Sequence, residues 1–439
     1  MRITKQTLAA SLFLAASFSP LQAFDLNDAL SETLARNPAL AAAKSTYEAR
    51  YMEQFVTLSA MLPQVSAFAT ETRTDTDAEN AVAAAADTDV LDSDAYGIRV
   101  TQNLFTSGKN VNDFRAKRAE IRAEESKYKA TEQQILLGAI SAYLDVLRAQ
   151  SVLELRNKNV NVLTNQLDAV KDRFEVGVVT RTDIAQSQAA LAGAKAAAEG
   201  AQAALRTARA VYREVVGVEP ANLRKPKKLP RLPRKLDRAI NMARKENPDL
   251  KNAQALSASG RFASYATVGG ALPSVKLTGT FSKTDNPSAL LQGGEISSSS
   301  VQLSVNVPLF MGGRSVAAVL ASQDVSNALT QNVHAASNSV ERQVIVAWNN
   351  VGATKAAAGS RREQIKAAEL ALEGVREENK LGTRTNLDVL DAEQSLLDAQ
   401  VGLVEAERDE QLAAYNLLAS MGRLTAKRLR IEPAKLTAE

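Results

Sequence analysis

From Val301 to Leu309 the chain alternates, with Val301, Leu303, Val305, Val307 and Leu309 apolar and Gln302, Ser304, Asn306 and Pro308 between them. A period of two predicts a β-strand with one apolar and one wetted face. The preceding segment sets Val275, Leu277, Gly279 and Phe281 against Lys276, Thr278, Thr280 and Ser282. Nearer the start, Tyr96, Ile98, Val100 and Leu104 oppose Gly97, Arg99, Thr101 and Asn103, while the segment after Pro63 alternates only weakly. Each predicted strand is about 9 to 11 residues, enough to cross a bilayer when tilted. A half-buried soluble sheet has the same pattern.

The rest of the pattern is helical. Gly313 to Lys380 contains no proline, about 68 residues and about 100 Å as a helix at about 1.5 Å per residue. Two shorter predicted helices, before Pro273 and after Asn386, together span roughly 90 Å and match it when stacked end to end. In the last helix Leu390, Leu397, Val404 and Leu418 recur at multiples of seven, and Val389, Leu396, Leu403 and Leu417 repeat this one residue earlier. Two such stripes about 100° apart give the helix two coiled neighbours, as a ring of helices requires. A plain four-helix bundle is the alternative.

The chain is a duplicated unit. ALSETLARNPAL from Ala29 is matched by AINMARKENPDL from Ala239, and Leu62-Pro63 by Leu272-Pro273. NLFTSGK from Asn103 is matched by PLFMGGR from Pro308, and Gly177, Thr180, Asp183, Leu191 and Gly217 fall on Gly382, Thr385, Asp388, Leu396 and Gly422. Each copy reads as short helix, strand pair, very long helix, turn and second long helix. The first repeat is assigned to 24–217, with a strand pair about 63–105 and helices about 109–175 and 182–216; the second to 239–422, with strands about 273–310 and helices about 313–380 and 386–421. Between them, 218–238 carries Pro220, Pro226, Pro230 and Pro233, which forbid a continuous helix. Its basic residues are assigned no binding role. Residues 423–439 form a tail.

Composition narrows the chemistry. With 45% hydrophobic and 23% charged residues, the chain has the make-up of neither a disordered tail nor a polytopic helical membrane protein. It has no cysteine and one histidine, His334, so disulfides, thiol catalysis and Cys-rich zinc sites are excluded. No Walker motif is present. No enzymatic activity, cofactor, metal or nucleic-acid partner is expected, and a hydrolase using two carboxylates has only generic Asp and Glu behind it. His334 and Trp348 are assigned to packing or surface. At the start, Arg2 and Lys5 precede an apolar run from Leu8 to Phe18, with Ala23 before Phe24. This is read as a secretory signal peptide over 1–23. Its removal lowers the formal charge from +4 to +2.

No later stretch holds about 18 consecutive apolar residues, so an exported chain that crosses lipid does so as strands. The connecting segments are polar: one carries Asp75, Asp77, Glu79, Asp87, Asp89, Asp92 and Asp94, and the other reads DNPSALLQGGEISSSS. Four strands cannot close a barrel, since small barrels need about eight. Strands are therefore shared between subunits. Two chains supply eight and three supply twelve, and only the larger leaves a wide aqueous bore.

The duplicated Asn-Pro motif, the LF-x-x-G strand-to-helix junction followed by Lys or Arg, and the run LGTRTNLDVLDAEQSLLDAQ from Leu381 resemble the TolC family of outer-membrane export channels. RFEVGVVTRTDI from Arg173 looks like the partner turn in the first copy. The resemblance covers essentially the whole mature chain. It implies a mainly α fold with β: a homotrimeric twelve-stranded β-barrel in the outer membrane, lipid-facing, continued by a twelve-helix α-barrel through the periplasm. It implies an exit duct for drugs, toxic compounds or polypeptides in tripartite efflux or type I secretion, working with a periplasmic adaptor and an inner-membrane pump. The competing reading is a periplasmic coiled-coil adaptor or scaffold with a soluble β-domain.

By the same resemblance, Asp388 and Asp391, three apart on one helix face, form an acidic constriction on the threefold axis. Mutual repulsion there raises some carboxyl pKa values and draws in cations. Read without the family, they are two solvated acids favouring a helix N-terminus. Arg384 is assigned to a gating latch with Thr182 or Asp183, against the bland reading of a surface arginine. Val176, Gly177, Val178, Leu381, Gly382 and Thr383 are assigned to adaptor-contacting turns, or else to turns required only by positive φ. Asn379 stands where the best-known member of the family has a gating tyrosine, so the latch here is looser or built differently.

Overall fold

The computed structural model describes residues 24–75, 91–226, 229–286 and 294–432. The signal peptide, the loop acids Asp77, Glu79, Asp87 and Asp89, linker residues Lys227 and Lys228, loop residues 287–293 and tail residues 433–439 lie outside the described residues. In chain order the first copy contributes α1 (Leu26–Arg36), α2 (Pro38–Ser59), β1 (Gln64–Thr74), β2 (Leu91–Phe105), α3 (Lys109–Glu175) and α4 (Arg181–Val216). The second contributes α5 (Leu236–Glu246), α6 (Pro248–Gly270), β3 (Ser274–Asp285), β4 (Glu295–Asn306), α7 (Arg314–Lys380) and α8 (Asn386–Ser420), followed by the single turn α9 (Ala426–Leu429). α5 starts at Leu236, within the stretch read as linker.

The repeated Asn-Pro motif is a joint between helices. Asn37 ends α1 and caps α2, its Oδ1 accepting from the amides of Ala39 and Leu40, and Pro38 fills the first helical position, where no amide partner is needed. Asn37 Nδ2 donates to Val215 O at 3.0 Å, so the same side chain holds the end of α4. Asn247 repeats both roles, accepting from Asp249 and Leu250 and donating to Ser420 O at 2.9 Å at the end of α8. The short helices thereby stack end to end, α4 on α2 and α8 on α6, each column lying along a long helix. α3 and α7 each have 67 residues, about 100 Å. Gly422 (φ 73°) closes the joint: a Cβ there would meet Glu246 O at 2.5 Å, so only glycine fits.

The largest core lies at these joints, where α1 and the linker pack on the middle of α3 and α5 packs on α7. Tyr143 of α3 donates from its hydroxyl to Arg224 O at 2.6 Å and accepts from Arg224 N at 3.1 Å, pinning the linker. Burial pushes its hydroxyl up to about 12. α3 is the one helix among the described residues long and apolar enough to cross a membrane. Its apolar residues, including Leu136, Ile140 and Val146, fill this core. Trp348 packs against the same cluster, and His334 is exposed on α7. In α8, Leu390, Leu397, Leu418, Val389 and Leu417 are buried, while Leu396, Leu403 and Val404 are half-buried in the single chain.

The four strands form one antiparallel sheet in the order β1-β2-β3-β4, so β2 of the first copy pairs with β3 of the second. Register places Val65, Val100, Gly279 and Val301 in one row and Ala67, Ile98, Phe281 and Ser299 in the next, all on one face. Small alanines explain the weak signal of β1. Three readings change. Asp92, Asp94 and residues 295–300, read as parts of the connecting segments, lie in β2 and β4, where they pair with neighbouring strands. Leu104 does not extend the apolar row of β2, because the register shifts between Asn103 and Phe105 and Phe105 takes the place opposite Val275. The alternation continues to Leu309, but β4 ends at Asn306 opposite Ser274, because β3 begins only after Pro273. Within one chain β1 and β4 each keep an unpaired edge.

Candidate functional site at the helical tip

The end of the molecule away from the sheet consists of two turns, α3 to α4 and α7 to α8. Each closes its first helix in the same way. Gly177 (φ 77°) and Gly382 (φ 79°) adopt the left-handed conformation, with Val178 N donating to Arg173 O and Thr383 N to Glu378 O, both at 3.0 Å. These six-residue closures satisfy the last helical carbonyls, and the glycines are there for φ. Each turn opens its second helix with a capping box, Thr180 with Asp183 and Thr385 with Asp388. Val176, Val178 and Leu381 project from the turns with exposures of 74%, 72% and 81%.

Asp388 and Asp391 share a face of α8 but differ in state. The Asp388 carboxylate accepts from Thr385 Oγ1 at 2.8 Å and Thr385 N at 2.9 Å. These bonds, with a smaller contribution from the charge of Arg384, hold it below the ordinary carboxylate range. Within a single chain the shift is therefore downward, opposite to that expected from repulsion around an axis. The carboxylate of Asp391 makes no hydrogen bond among the described residues.

The expected latch differs within one chain. Arg384 Nε donates to Glu378 Oε2 at 2.8 Å, not to Thr182 or Asp183, and Asp183 is engaged by Thr180. Apart from Asn379, the residues whose contacts tie the two hairpins together are not among those assigned from sequence. Asn386, 7% exposed at the first position of α8, donates to Ser187 Oγ of α4 and accepts from Gln166 Nε2 of α3, both at 2.9 Å. Arg173, at the end of α3, donates to Asn379 Oδ1 at 3.2 Å, and Asn379 Nδ2 donates to Arg384 O at 2.9 Å. Within the second hairpin, Arg376 of α7 pairs with Glu393 of α8. Asn379 thus joins the first hairpin to the second turn. The duplication carried a signal for this set: Gln166 and Ser187 fall on Ala371 and Ala392, so polar groups stand in one copy where the other has only methyls.

Among the described residues no group of His, Cys, Asp and Glu is arranged to hold a metal. The tip can do two things chemically: present carboxylates to a passing ion, and hold two hairpins by a small set of hydrogen bonds, the Asn386–Ser187 bond buried and the others partly so.

Comparison with known proteins agrees with this architecture. The chain matches the outer membrane efflux protein family over residues 29–218 and 239–423. It is 32% identical over 353 residues to the outer membrane efflux protein BepC of Brucella suis biovar 1, covering 80% of this chain and 77% of that protein. It is 28% identical over 426 residues to the outer membrane protein TolC of Vibrio cholerae, covering 94% and 95%. The crystal structure of the Campylobacter jejuni CmeC outer membrane channel superposes with a TM-score of 0.82 at 15% identity, covering 98% of this chain and 96% of that one, a likeness of fold. The adaptor or scaffold reading finds no support among these relatives. The chain belongs to the outer membrane efflux protein family and is an outer-membrane exit duct with a long periplasmic extension.

Proposed function

We propose that three copies of this chain close one passive duct that carries drugs, toxic compounds or polypeptides handed over by a periplasmic adaptor and an inner-membrane pump. The observation that carries this reading is the open sheet. Its apolar face is exposed, and β1 and β4 have unpaired edges, which lipid does not tolerate. The helices at those edges match the need for a neighbour. α2 exposes Met52, Phe55 and Val56 at one side, and α7 exposes Val316, Leu320 and Val325 at the other. Two different faces that meet head to tail close a ring.

In that ring Asp388 and Asp391 form the narrowest, acidic section, with Asp391 the freer charge. Arg384, paired with Glu378 in one chain, exchanges to Thr182 or Asp183 as the latch when the ring is closed. The exposed turns Val176-Gly177-Val178 and Leu381-Gly382-Thr383 contact the adaptor. The oligomer is tested by native mass spectrometry of protein extracted from outer membranes in detergent. A mass of three chains that falls to one on heating supports the reading; a monomer, or release without detergent, overturns it.

A further inference from the structure

The register of the sheet sorts its charges. On the face shared by Ser66, Arg99, Thr280 and Ser300, the described strand residues are mostly Ser, Thr, Asn and Gln, with Phe68, Ala95, Gly97 and Ile296 between them, and the only charged ones are Arg99 and Lys276. All five strand carboxylates, Glu71, Asp92, Asp94, Asp285 and Glu295, lie on the opposite, apolar face, at its loop end. The ion pairs of the sheet, Arg73 with Asp92 and Lys283 with Glu295, lie there too. Arg99 instead lies over the Phe68 ring, 5.0 Å from its centroid, which confirms that both occupy the polar face and holds the guanidinium against the wall.

Resting on the closed-barrel reading above, we propose that the bore of the barrel is a cationic, carboxylate-free sleeve that favours anionic cargo, with Arg99 and Lys276 setting the preference. Apolar side chains face lipid and polar ones face the bore in a membrane barrel. Two uncompensated positive charges per chain then face the bore with no fixed negative charge between them. The duct has two sections of opposite sign in series. The acidic tip, being narrower, governs small-ion selectivity, and the sleeve acts on carboxylate, sulfonate or phosphate groups of solutes that have passed it. The preference is strongest in low salt, where screening reaches about 30 Å at about 0.01 M against about 8 Å at physiological strength.

The test removes the tip's dominance. In Asp388→Asn/Asp391→Asn channels, the reversal potential in a dilute potassium chloride gradient is expected to show chloride preferred over potassium. Adding Arg99→Ser/Lys276→Ser should lower that permeability ratio by at least about twofold in dilute salt, where screening is weak. An unchanged ratio overturns the proposal. A second measurement needs no current. The chain has no cysteine, so Thr280→Cys, opposite Arg99, gives one thiol per chain, three in the trimer, all on the polar face. Its reaction with a sulfonate thiosulfonate reagent, relative to the ammonium reagent, should fall severalfold on Arg99→Ser; an unmoved ratio overturns the sleeve. If Thr280→Cys resists both reagents while Phe281→Cys reacts, the polar face is not the aqueous one, and the barrel reading fails with the proposal.

Discussion

Replacing Asn386 by leucine tests whether the tip is held by the buried polar contact between hairpins. Asn386 makes two side-chain bonds of 2.9 Å, to Ser187 and Gln166, at a site 7% exposed. Neutral bonds of this kind contribute about 0.5 to 1.5 kcal/mol each, so losing both costs about 1 to 3 kcal/mol. That corresponds to a shift of about 5- to 150-fold in the balance between docked and released hairpins. Hydrogen exchange of the trimer in detergent reads it directly: amides near 376–390 should exchange faster by that factor, while those around Tyr143 should not change. The logic also predicts a rescue. Gln166→Ala and Ser187→Ala, added to Asn386→Leu, leave no polar group stranded and reproduce what the other copy has at Ala371 and Ala392. The triple variant should recover most of the protection. An unchanged rate in the single variant, or a triple variant as loose as the single, would refute the reasoning.

Three further outcomes follow from other contacts. Asn379→Ala removes the bridge from Arg173 to the Arg384 carbonyl and should raise single-channel conductance, whereas Arg384→Ala should leave the melting temperature nearly unchanged, because its pair with Glu378 is exposed to solvent. Gly422→Ala forces a Cβ onto Glu246 O at 2.5 Å and a side chain into positive φ; left-handed backbone alone costs about 1 to 2 kcal/mol, and thermal unfolding should show at least that loss. Tyr143 has a raised folded pKa of about 12, so its contribution is complete below the unfolded value of about 10 and fades as pH rises through about 12. Tyr143→Phe should be less stable at neutral pH by about 1 to 3 kcal/mol, because Arg224 O loses its 2.6 Å donor and Arg224 N keeps only its longer bond to Phe24 O at 3.3 Å, and the difference from wild type should close at high pH.

Much of this architecture is legible in the residues, because two of its signals are strong. A proline-free stretch of 67 residues can hardly be other than one long helix, and a sequence that repeats Asn-Pro, LF-x-x-G and Gly-x-x-Thr-x-x-Asp in the same order states its own internal symmetry. Period-two alternation likewise identified three of the four strands. The fourth, β1, was faint because its apolar side is mostly alanine, whose contrast with serine and threonine is low. Pattern alone could not locate the register shift at Asn103, since a bulge is decided by the neighbouring strand.

The site was legible only in part. The capping boxes around Asp183 and Asp388 follow from Thr-x-x-Asp spacing, but the partner of Arg384 within a chain, Glu378, depends on how far the turn folds back. Gln166, Ser187 and Asn386 are ordinary polar residues in sequence, far apart and unremarkable by type. What singles them out is their meeting at the contact of three helices, where Ser187 and Asn386 are buried and Gln166 is half-buried. Comparing the two repeats position by position, with attention to places where one is polar and the other alanine, is the sequence operation that exposes them.

The central claim is a gated trimeric duct whose narrowest section is acidic. Single-channel currents in a planar bilayer, with a trivalent cation added on the tip side, test it most directly. Wild type should give small cation-selective currents that the ion blocks, and Asp388→Ala/Asp391→Ala should conduct without block. Absence of current from reconstituted trimers in both forms, and also after Arg384→Ala, would contradict the account.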